Sequence, residues 1–308
     1  MYNIIMLNIS KRVILLKHLI SLTKPGIIAG NLVAVVAGCC LALHAAPYAP
    51  YAPYAVFDYS VLIFTVIGIC LVMASGCVFN NCIDRDIDAL MARTCKRVMV
   101  TKLIHPCIAL TYGTLLGITG LVLLYLQVNS LAALIALFGW VFYVVVYSLW
   151  FKRSSIYGTH IGSISGAIPP VVGYISVTGQ LDLAAALLFA MLSLWQMPHS
   201  FAIAIFRLKD YQAANIAVLP VKLSMLVTKI NMLAYVSAFV AVSLSFSLFG
   251  YTGVVYSSIA AILGIAWIYL ACLGFVTQDN IIWARKMFII SIAVLMSLCL
   301  TIILSALI

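Results

Sequence analysis

The sequence predicts an all-α polytopic membrane protein with nine transmembrane helices. Of its 308 residues, 66% are hydrophobic and only 8% are charged. The mean hydropathy of +1.21 lies far above that of a soluble globular domain. The apolar residues are also grouped into runs long enough to cross a hydrocarbon layer of about 30 Å, which takes about 20 helical residues. Both observations place the chain in a lipid bilayer.

Nine such runs follow one another and leave little chain for a soluble domain. In chain order they cover 27–45, 56–79, 106–126, 131–150, 158–178, 183–205, 229–250, 254–275 and 287–307. Between the first two, "APYAPYAPY" (46–54) has proline at every third position, which predicts an extended, polyproline-like outer loop. In the fifth run, "GAIPPVVG" (166–173) predicts a kink that either lines a cavity or serves packing alone.

The basic residues predict the orientation of the chain. All 17 Lys and Arg lie before the first run, in the connections that follow the second, fourth, sixth and eighth runs, or, for Lys229, at the first residue of the seventh run. The positive-inside rule then places the amino terminus in the cytoplasm, and an odd number of spans places the carboxyl terminus outside. The net charge of +10 is therefore a topology signal together with any anionic ligand of the loops. It gives no reason to expect nucleic acid as a partner.

Two cytoplasmic connections are long and polar, 80–105 and 206–228. They follow the second and the sixth span, so that four spans separate them. This arrangement predicts two pseudo-repeated four-helix halves with a ninth helix added.

The first long connection contains "NNCIDRDIDALMARTCKR" (80–97). If the second helix continues past its membrane end, Asn80, Asp84 and Asp88 recur every four residues and share one face. Asp86 points away from that face, toward Arg85 or water. Two carboxylates and an amide suit Mg²⁺, which completes its shell with water and substrate phosphate oxygens.

Three cations follow closely, Arg93, Lys96 and Arg97, and such a cluster suits a diphosphate group. The alternative is an ordinary solvated loop whose charges pair with one another. The chain has no glutamate and only seven aspartates, and three of the seven lie in this one stretch. That concentration favours the binding site.

Other candidates lie at the same predicted mouth. Asp210 stands in the second long connection beside two cations, as a second metal ligand, an orienting group or a simple charge pair. Lys152 and Arg153 directly follow the fourth run and are either diphosphate ligands or topology determinants. His199 follows a proline inside the sixth run, where an ionisable group is expensive. It is either functional or a hydrogen-bonded structural residue.

These features resemble the UbiA-type intramembrane prenyltransferases, which carry NxxxDxxxD after the second helix. Longer segments resemble the branch of that family that farnesylates haem. They are "TKPGIIAGN" (23–31), "ASGCVFNNCIDRDIDALMARTCKRV" (74–98), "YGTHIGSISGAIPPVVGY" (157–174) and "SLWQMPHSFAIAIFRLKDYQAANIAVLPV" (193–221).

The resemblance implies one intramembrane prenyltransferase domain over 1–308, with nine helices around a central cavity and the active site at its cytoplasmic mouth. It also implies farnesyl diphosphate and haem B as substrates, Mg²⁺ as cofactor, and a haem product destined for a terminal oxidase. The location would be the bacterial inner membrane. For contact with haem on the acceptor side, our own candidate is His199.

Two positions depart from the family pattern. Only Asp210 is acidic in the later loop, where many relatives carry a second DxxxD, so a full second metal site is not expected. His160 stands where an apolar residue is expected and receives no role.

Three other functions compete with this interpretation. A transporter would place its polar site at broken helices near the membrane midplane, whereas these carboxylates gather at one mouth. A haem-delivering assembly factor needs no diphosphate clamp. The same fold acting on another acceptor, such as 4-hydroxybenzoate, would share the aspartate pattern but not the longer segments.

Overall fold

The computed structural model describes residues 13–45 and 58–306, and all regular secondary structure in these two ranges is helical. The helices are α1 Val13–Leu22, α2 Pro25–Ala45, α3 Tyr59–Ile83, α4 Arg85–Leu90, α5 Pro106–Gln127, α6 Ser130–Val141, α7 Lys152–Ser154, α8 Gly158–Gly166, α9 Ile168–Thr178, α10 Leu183–Phe206, α11 Leu208–Ala213, α12 Leu219–Lys222, α13 Met225–Leu248, α14 Val254–Leu273 and α15 Asn280–Ser305. A π-helix, Phe142–Phe151, joins α6 to α7. The predicted outer loop at 46–54 lies outside the described residues.

Nine helical stretches within the described ranges are long and apolar enough to cross a membrane, which confirms the predicted all-α fold. The fourth of them runs through the π-helix as Ser130–Ser154, and the fifth is Gly158–Thr178. The ninth begins at Asn280 rather than 287. Asp279 caps it by accepting from the amides of Ile281 and Ile282 at 2.8 and 3.0 Å, and the helix carries Arg285 on its exposed face.

The spans pack into a closed ring. In the first half α3 packs against α5 and α5 against α6, and in the second half α10 packs against α13 and α13 against α14. The ninth span, α15, packs against α10, α14 and α2 and closes the ring. The corresponding pairs in the two halves agree with the predicted division into four helices, four helices and a ninth.

The fifth span is broken at Ala167, two residues before the first of the two prolines, Pro169 and Pro170. Its second part, α9, crosses α2 so closely that a Cβ on Gly38 would clash with the carbonyl oxygen of Pro170, and one on Gly173 with the carbonyl oxygen of Val35. Only glycine permits this approach of two backbones. The kink therefore has a packing role in α9, while the first part, α8, lines the cavity described below.

Three aspartates serve as helix N-caps, which satisfy backbone amides that the helix leaves without partners. Asp58, Asp182 and Asp279 accept from the first turns of α3, α10 and α15. The chain has seven acidic residues. The remaining four, Asp84, Asp86, Asp88 and Asp210, all lie in the two long connections.

Candidate active site

A cavity of about 820 Å³ opens between the spans at the end that carries the two long connections. Its wall comes from the first, second, fourth, fifth, sixth and ninth spans and from both connections. Five charged residues line it, Lys24, Asp88, Arg93, Arg97 and Lys152. The rest of the wall is mainly apolar and aromatic. The cavity therefore has a charged mouth and an apolar interior.

The predicted aspartate face is present at this mouth. The helix breaks at Asp84, yet the Asp84 amide donates to the Asn80 carbonyl at 2.9 Å and the Asp88 amide donates to the Asp84 carbonyl at 2.8 Å. The four-residue register therefore continues through the break. Asn80, Asp84 and Asp88 are 3%, 0% and 2% exposed, so all three are withdrawn from bulk water.

Asp84 is surrounded by donors. Its Oδ2 accepts from Asn80 Nδ2 at 2.7 Å and pairs with the Lys152 ammonium. Its Oδ1 has no hydrogen-bond partner among the described residues, and Arg153 Nη2 is 3.9 Å away from it. A buried carboxylate oxygen without a hydrogen bond is costly. Asp84 therefore has one oxygen available for a cation.

Asp88 lines the cavity, and its Oδ2 accepts from Arg97 Nη1 at 2.6 Å. The Thr94 hydroxyl donates to the Asp88 carbonyl at 2.9 Å and fixes the turn that returns Arg97 to this carboxylate. Arg93 lines the cavity as well. Two of the three predicted diphosphate cations of this loop thus lie at the mouth, whereas Lys96 does not line it.

The donor set fits Mg²⁺. In the part of the chain that the structure describes, no cluster of three His, Cys, Asp or Glu could hold a metal, so Asn80 is needed beside the two carboxylates. Oxygen donors, two of them anionic, are what Mg²⁺ takes from proteins. The unpaired Oδ1 of Asp84 is the atom that such an ion would satisfy.

Lys24 is a site residue for which the pattern of basic residues predicts only a role in topology. Its Nζ donates to Asn80 Oδ1 at 2.5 Å, across 56 residues of sequence. Its backbone has φ of +54°, a left-handed conformation that is uncommon outside glycine. Burial lowers the pKa of the Lys24 ammonium to about 8. The only local signal was its place in the "TKPG" segment.

Arg153 does not share the environment of its neighbour Lys152, which lines the cavity. It binds Asp86 through two hydrogen bonds, of 2.6 and 2.7 Å, and donates to the Ile83 carbonyl at 2.6 Å. Asp86 points away from the cavity as predicted, but its partner is Arg153 rather than Arg85. The hydrogen bonds from Arg153 lower the pKa of Asp86 to about 2. Arg153 does not line the cavity, so its position does not favour the predicted contact with diphosphate.

The π-helix Phe142–Phe151 explains why Lys152 reaches the site. Tyr143, Tyr147 and Lys152 all line the cavity, although Tyr143 and Lys152 are two and a half turns apart at 3.6 residues per turn and would lie on opposite faces of an α-helix. The i→i+5 pattern needs about one more residue per turn, so nine residues make about two turns. Ser148 supports this geometry by donating to the Tyr143 carbonyl at 2.8 Å and accepting from Asn80 at 3.0 Å.

Asp210 joins the two connections. Its Oδ1 accepts from the Ala92 amide at 3.0 Å, across 118 residues of sequence. It does not line the cavity. Around it, Ile87, Met91, Ala214 and Ile216 form a small apolar cluster. Of the roles considered for Asp210, an orienting group for the loop that carries Asp88 and Arg93 agrees best with this position.

His199 lines the cavity in the sixth span. Its imidazole lies between the rings of Trp195 and Phe288, at centroid distances of 4.6 and 4.7 Å, and its Nδ1 is 2.8 Å from Ser291 Oγ. His160, by contrast, does not line the cavity. It packs among the rings of Tyr157, Phe201 and Tyr235, and we assign it no role.

The chain is similar to known prenyltransferases. The model of the UbiA prenyltransferase family matches residues 23–293. The chain is 51% identical to the protoheme IX farnesyltransferase of Photorhabdus laumondii over 284 residues, covering 92% of this chain and 93% of the relative. It is 51% identical to that of Pseudomonas savastanoi over 277 residues, covering 90% of both chains.

Solved structures share the fold. A structure described as digeranylgeranylglyceryl phosphate synthase has a TM-score of 0.76 at 20% identity, covering 94% of this chain and 98% of the other. A UbiA homolog from Archaeoglobus fulgidus, bound to GPP and Mg²⁺, has a TM-score of 0.64 at 15% identity, covering 93% and 99%. Together with the family match and the 51% identical relatives, this confirms the resemblance inferred from the aspartate segment: the chain belongs to the UbiA prenyltransferase family.

Proposed function

We propose that this protein transfers the farnesyl group of farnesyl diphosphate to a vinyl group of haem B, with addition of water, and releases diphosphate and haem O. The observation that carries the proposal is a cavity in which a cationic, carboxylate-bearing mouth meets an apolar aromatic interior. Identity of about half the residues to protoheme IX farnesyltransferases over nine tenths of the chain supports this choice of substrates.

The charged mouth suits the diphosphate leaving group. When the allylic C1–O bond breaks, its electron pair stays on the diphosphate oxygen, so the barrier falls when that oxygen is stabilised by fixed positive charge. The cations available at the cavity wall are Lys24, Arg93, Arg97 and Lys152. The step needs electrostatic stabilisation and no general base.

Mg²⁺ would be held by Asn80, Asp84 and Asp88, and it would neutralise charge on the diphosphate. Asp84 and Asp88 pair with Lys152 and Arg97. The two cations and the two carboxylates thus form one network, in which Lys152 and Arg97 can bind phosphate oxygens beside the metal ligands.

The aromatic wall below the mouth suits the farnesyl cation. Tyr143 and Tyr147 stack with a centroid distance of 5.9 Å, and Trp140 lines the cavity beside them. Aromatic faces attract cations by up to about 2 kcal/mol when water is excluded. These rings also keep water away from C1 until the vinyl carbon has formed the new carbon–carbon bond. Water then captures the resulting cation and loses a proton to leave a hydroxyl.

We place the acceptor on the side of His199. This residue lies on the sixth span and packs against the ninth, whereas the two tyrosines lie on the fourth span. Its flat aromatic surroundings suit a porphyrin.

The proposed location is a bacterial inner membrane, with the amino terminus and the charged mouth in the cytoplasm and the carboxyl terminus outside. Nine apolar spans and the grouping of basic residues support it. Haem O made there would supply a terminal oxidase.

The test uses the purified protein with haem B, farnesyl diphosphate and Mg²⁺, and analyses the products by mass. A farnesyl-hydroxyethyl haem that disappears with EDTA is expected. The matched control replaces haem B with 4-hydroxybenzoate. Farnesylation of that acceptor with none of haem B would contradict the proposal.

A further inference from the structure

The hydrogen bonds around His199 determine which of its nitrogens carries the proton. The Ser291 hydroxyl is 2.6 Å from the Phe288 carbonyl oxygen. Two oxygens at this distance share a hydrogen between them, and the carbonyl has none of its own. The hydroxyl hydrogen therefore lies in that bond, and Ser291 Oγ can only accept from His199.

It follows that His199 Nδ1 bears the hydrogen and donates it to Ser291 Oγ at 2.8 Å. A second proton on the ring would put a cation in an apolar span, which is expensive, and no carboxylate among the described residues pairs with it. In the neutral ring Nε2 then carries a lone pair. Nε2 has no hydrogen-bond partner among the described residues, and His199 lines the cavity.

The surroundings hold this ring in place. Trp195 and Phe288 flank it at 4.6 and 4.7 Å, with interplanar angles of 24° and 33°. Trp195 Nε1 donates to the Ser291 carbonyl at 2.7 Å. Ser291 therefore holds two side chains of the sixth span, Trp195 through its carbonyl and His199 through its hydroxyl. Ser291 itself is 0% exposed and cannot touch a ligand in the cavity.

We propose that His199 Nε2 is an axial ligand of the haem iron and that Ser291 is the positioning residue that fixes the required tautomer. The inference rests on the proposed function, since it assumes haem as acceptor. Histidines that bind metals commonly donate their other ring N–H to a fixed acceptor, which orients the ring and raises its basicity. Coordination donates the Nε2 lone pair to iron and transfers no proton or electron. It would set the distance of the porphyrin edge from the mouth.

The test measures haem binding to the full-length protein in detergent, without farnesyl diphosphate. Resonance Raman spectra of the ferrous haem complex should show an iron–histidine stretching band, which His199→Ala abolishes and added imidazole restores. Ser291→Ala should move the band to lower frequency and weaken haem binding by about 10–100-fold. Ser297→Ala, the same change on the same helix but away from the cavity wall, should do neither.

A measurement on the unmodified protein is independent of variant folding. Haem B should bind more tightly than metal-free protoporphyrin IX, and equal affinities would overturn the assignment. An unchanged band in His199→Ala would also overturn it, and an unchanged band in Ser291→Ala would overturn the positioning role. The proposed function is judged separately by the mass of the product: a histidine-ligated haem without farnesyl transfer would refute the function and leave the ligand assignment intact.

Discussion

Arg153 donates two hydrogen bonds, of 2.6 and 2.7 Å, to Asp86 outside the cavity. The adjacent Lys152 lines the cavity and pairs with Asp84. Two neighbouring cations of equal charge therefore have different environments. We therefore expect substitution of Lys152 to affect activity and substitution of Arg153 to affect mainly structure.

Lys152→Gln should lower kcat/KM for farnesyl diphosphate by at least about tenfold, which corresponds to about 1.4 kcal/mol. It removes a cation from the cavity wall and leaves a buried carboxylate without its partner. Arg153→Gln is the matched control and should cost less than about fivefold, because its partner is exposed and exposed ion pairs contribute only about 0–1 kcal/mol. Equal losses of kcat/KM at both positions would contradict this difference and would indicate that Arg153 also binds diphosphate.

The Asp86–Arg153 pair should stabilise the folded protein at neutral pH and lose this effect in acid. The folded pKa of Asp86 is lowered to about 2 by the Arg153 hydrogen bonds, below the unfolded value of about 3.9. Its contribution is therefore complete above about pH 4 and disappears as the pH falls toward about 2. Thermal unfolding of wild type and Asp86→Asn should differ by a constant amount from about pH 5 to 7, and the two curves should converge in stronger acid. A difference that grows on acidification would be inconsistent with this pair.

Lys24→Gln should raise KM for farnesyl diphosphate by about tenfold, because Lys24 is one of four cations on the cavity wall and also holds Asn80. Lys17→Gln, on an exposed face of α1, removes the same charge from the same end of the chain and should leave KM unchanged. If both substitutions act alike, the effect of Lys24 is a general one of membrane topology or surface charge.

Reporter fusions check the proposed orientation. A reporter that is active only outside the cytoplasm should work at the carboxyl terminus and remain silent when inserted between Leu90 and Arg97. Cytoplasmic activity at the carboxyl terminus would reverse the orientation inferred from the basic residues.

The fold could be predicted from the sequence because a bilayer requires every span to be a long apolar helix. The predicted boundaries were wrong where a helix continues into polar sequence, as at the start of the ninth span, which Asp279 caps, and at the end of the fourth, which runs to Ser154. The aspartate face was accessible for a similar reason. Its spacing of four survives the break at Asp84, since the backbone hydrogen bonds on both sides keep the helical register.

Other parts of the site had no local signal. Lys24 and Asn80 are 56 residues apart, and Arg153 and Asp86 are 67 apart, so only the packed spans bring them together. The π-helix was also missed, because "YVVVYSLWF" has the composition of an ordinary apolar span. Without it Lys152 and Tyr143 would be expected on opposite faces, and the aromatic wall beneath the mouth could not be inferred.

The most direct test of the metal face compares Asp84→Asn, Asp86→Asn and Asp88→Asn for farnesyl transfer across a Mg²⁺ titration. The three changes are chemically identical, but Asp84 and Asp88 are 0% and 2% exposed and pair with Lys152 and Arg97 of the cavity wall, whereas the side chain of Asp86 is 61% exposed outside the cavity. Asp84→Asn and Asp88→Asn should lose orders of magnitude in turnover, at about 1.4 kcal/mol per tenfold, and should need more Mg²⁺. Asp86→Asn should stay within about fivefold of wild type at every concentration. Equal losses at all three positions, or a severe loss at Asp86 alone, would contradict the assignment of Asn80, Asp84 and Asp88 as the metal-binding face.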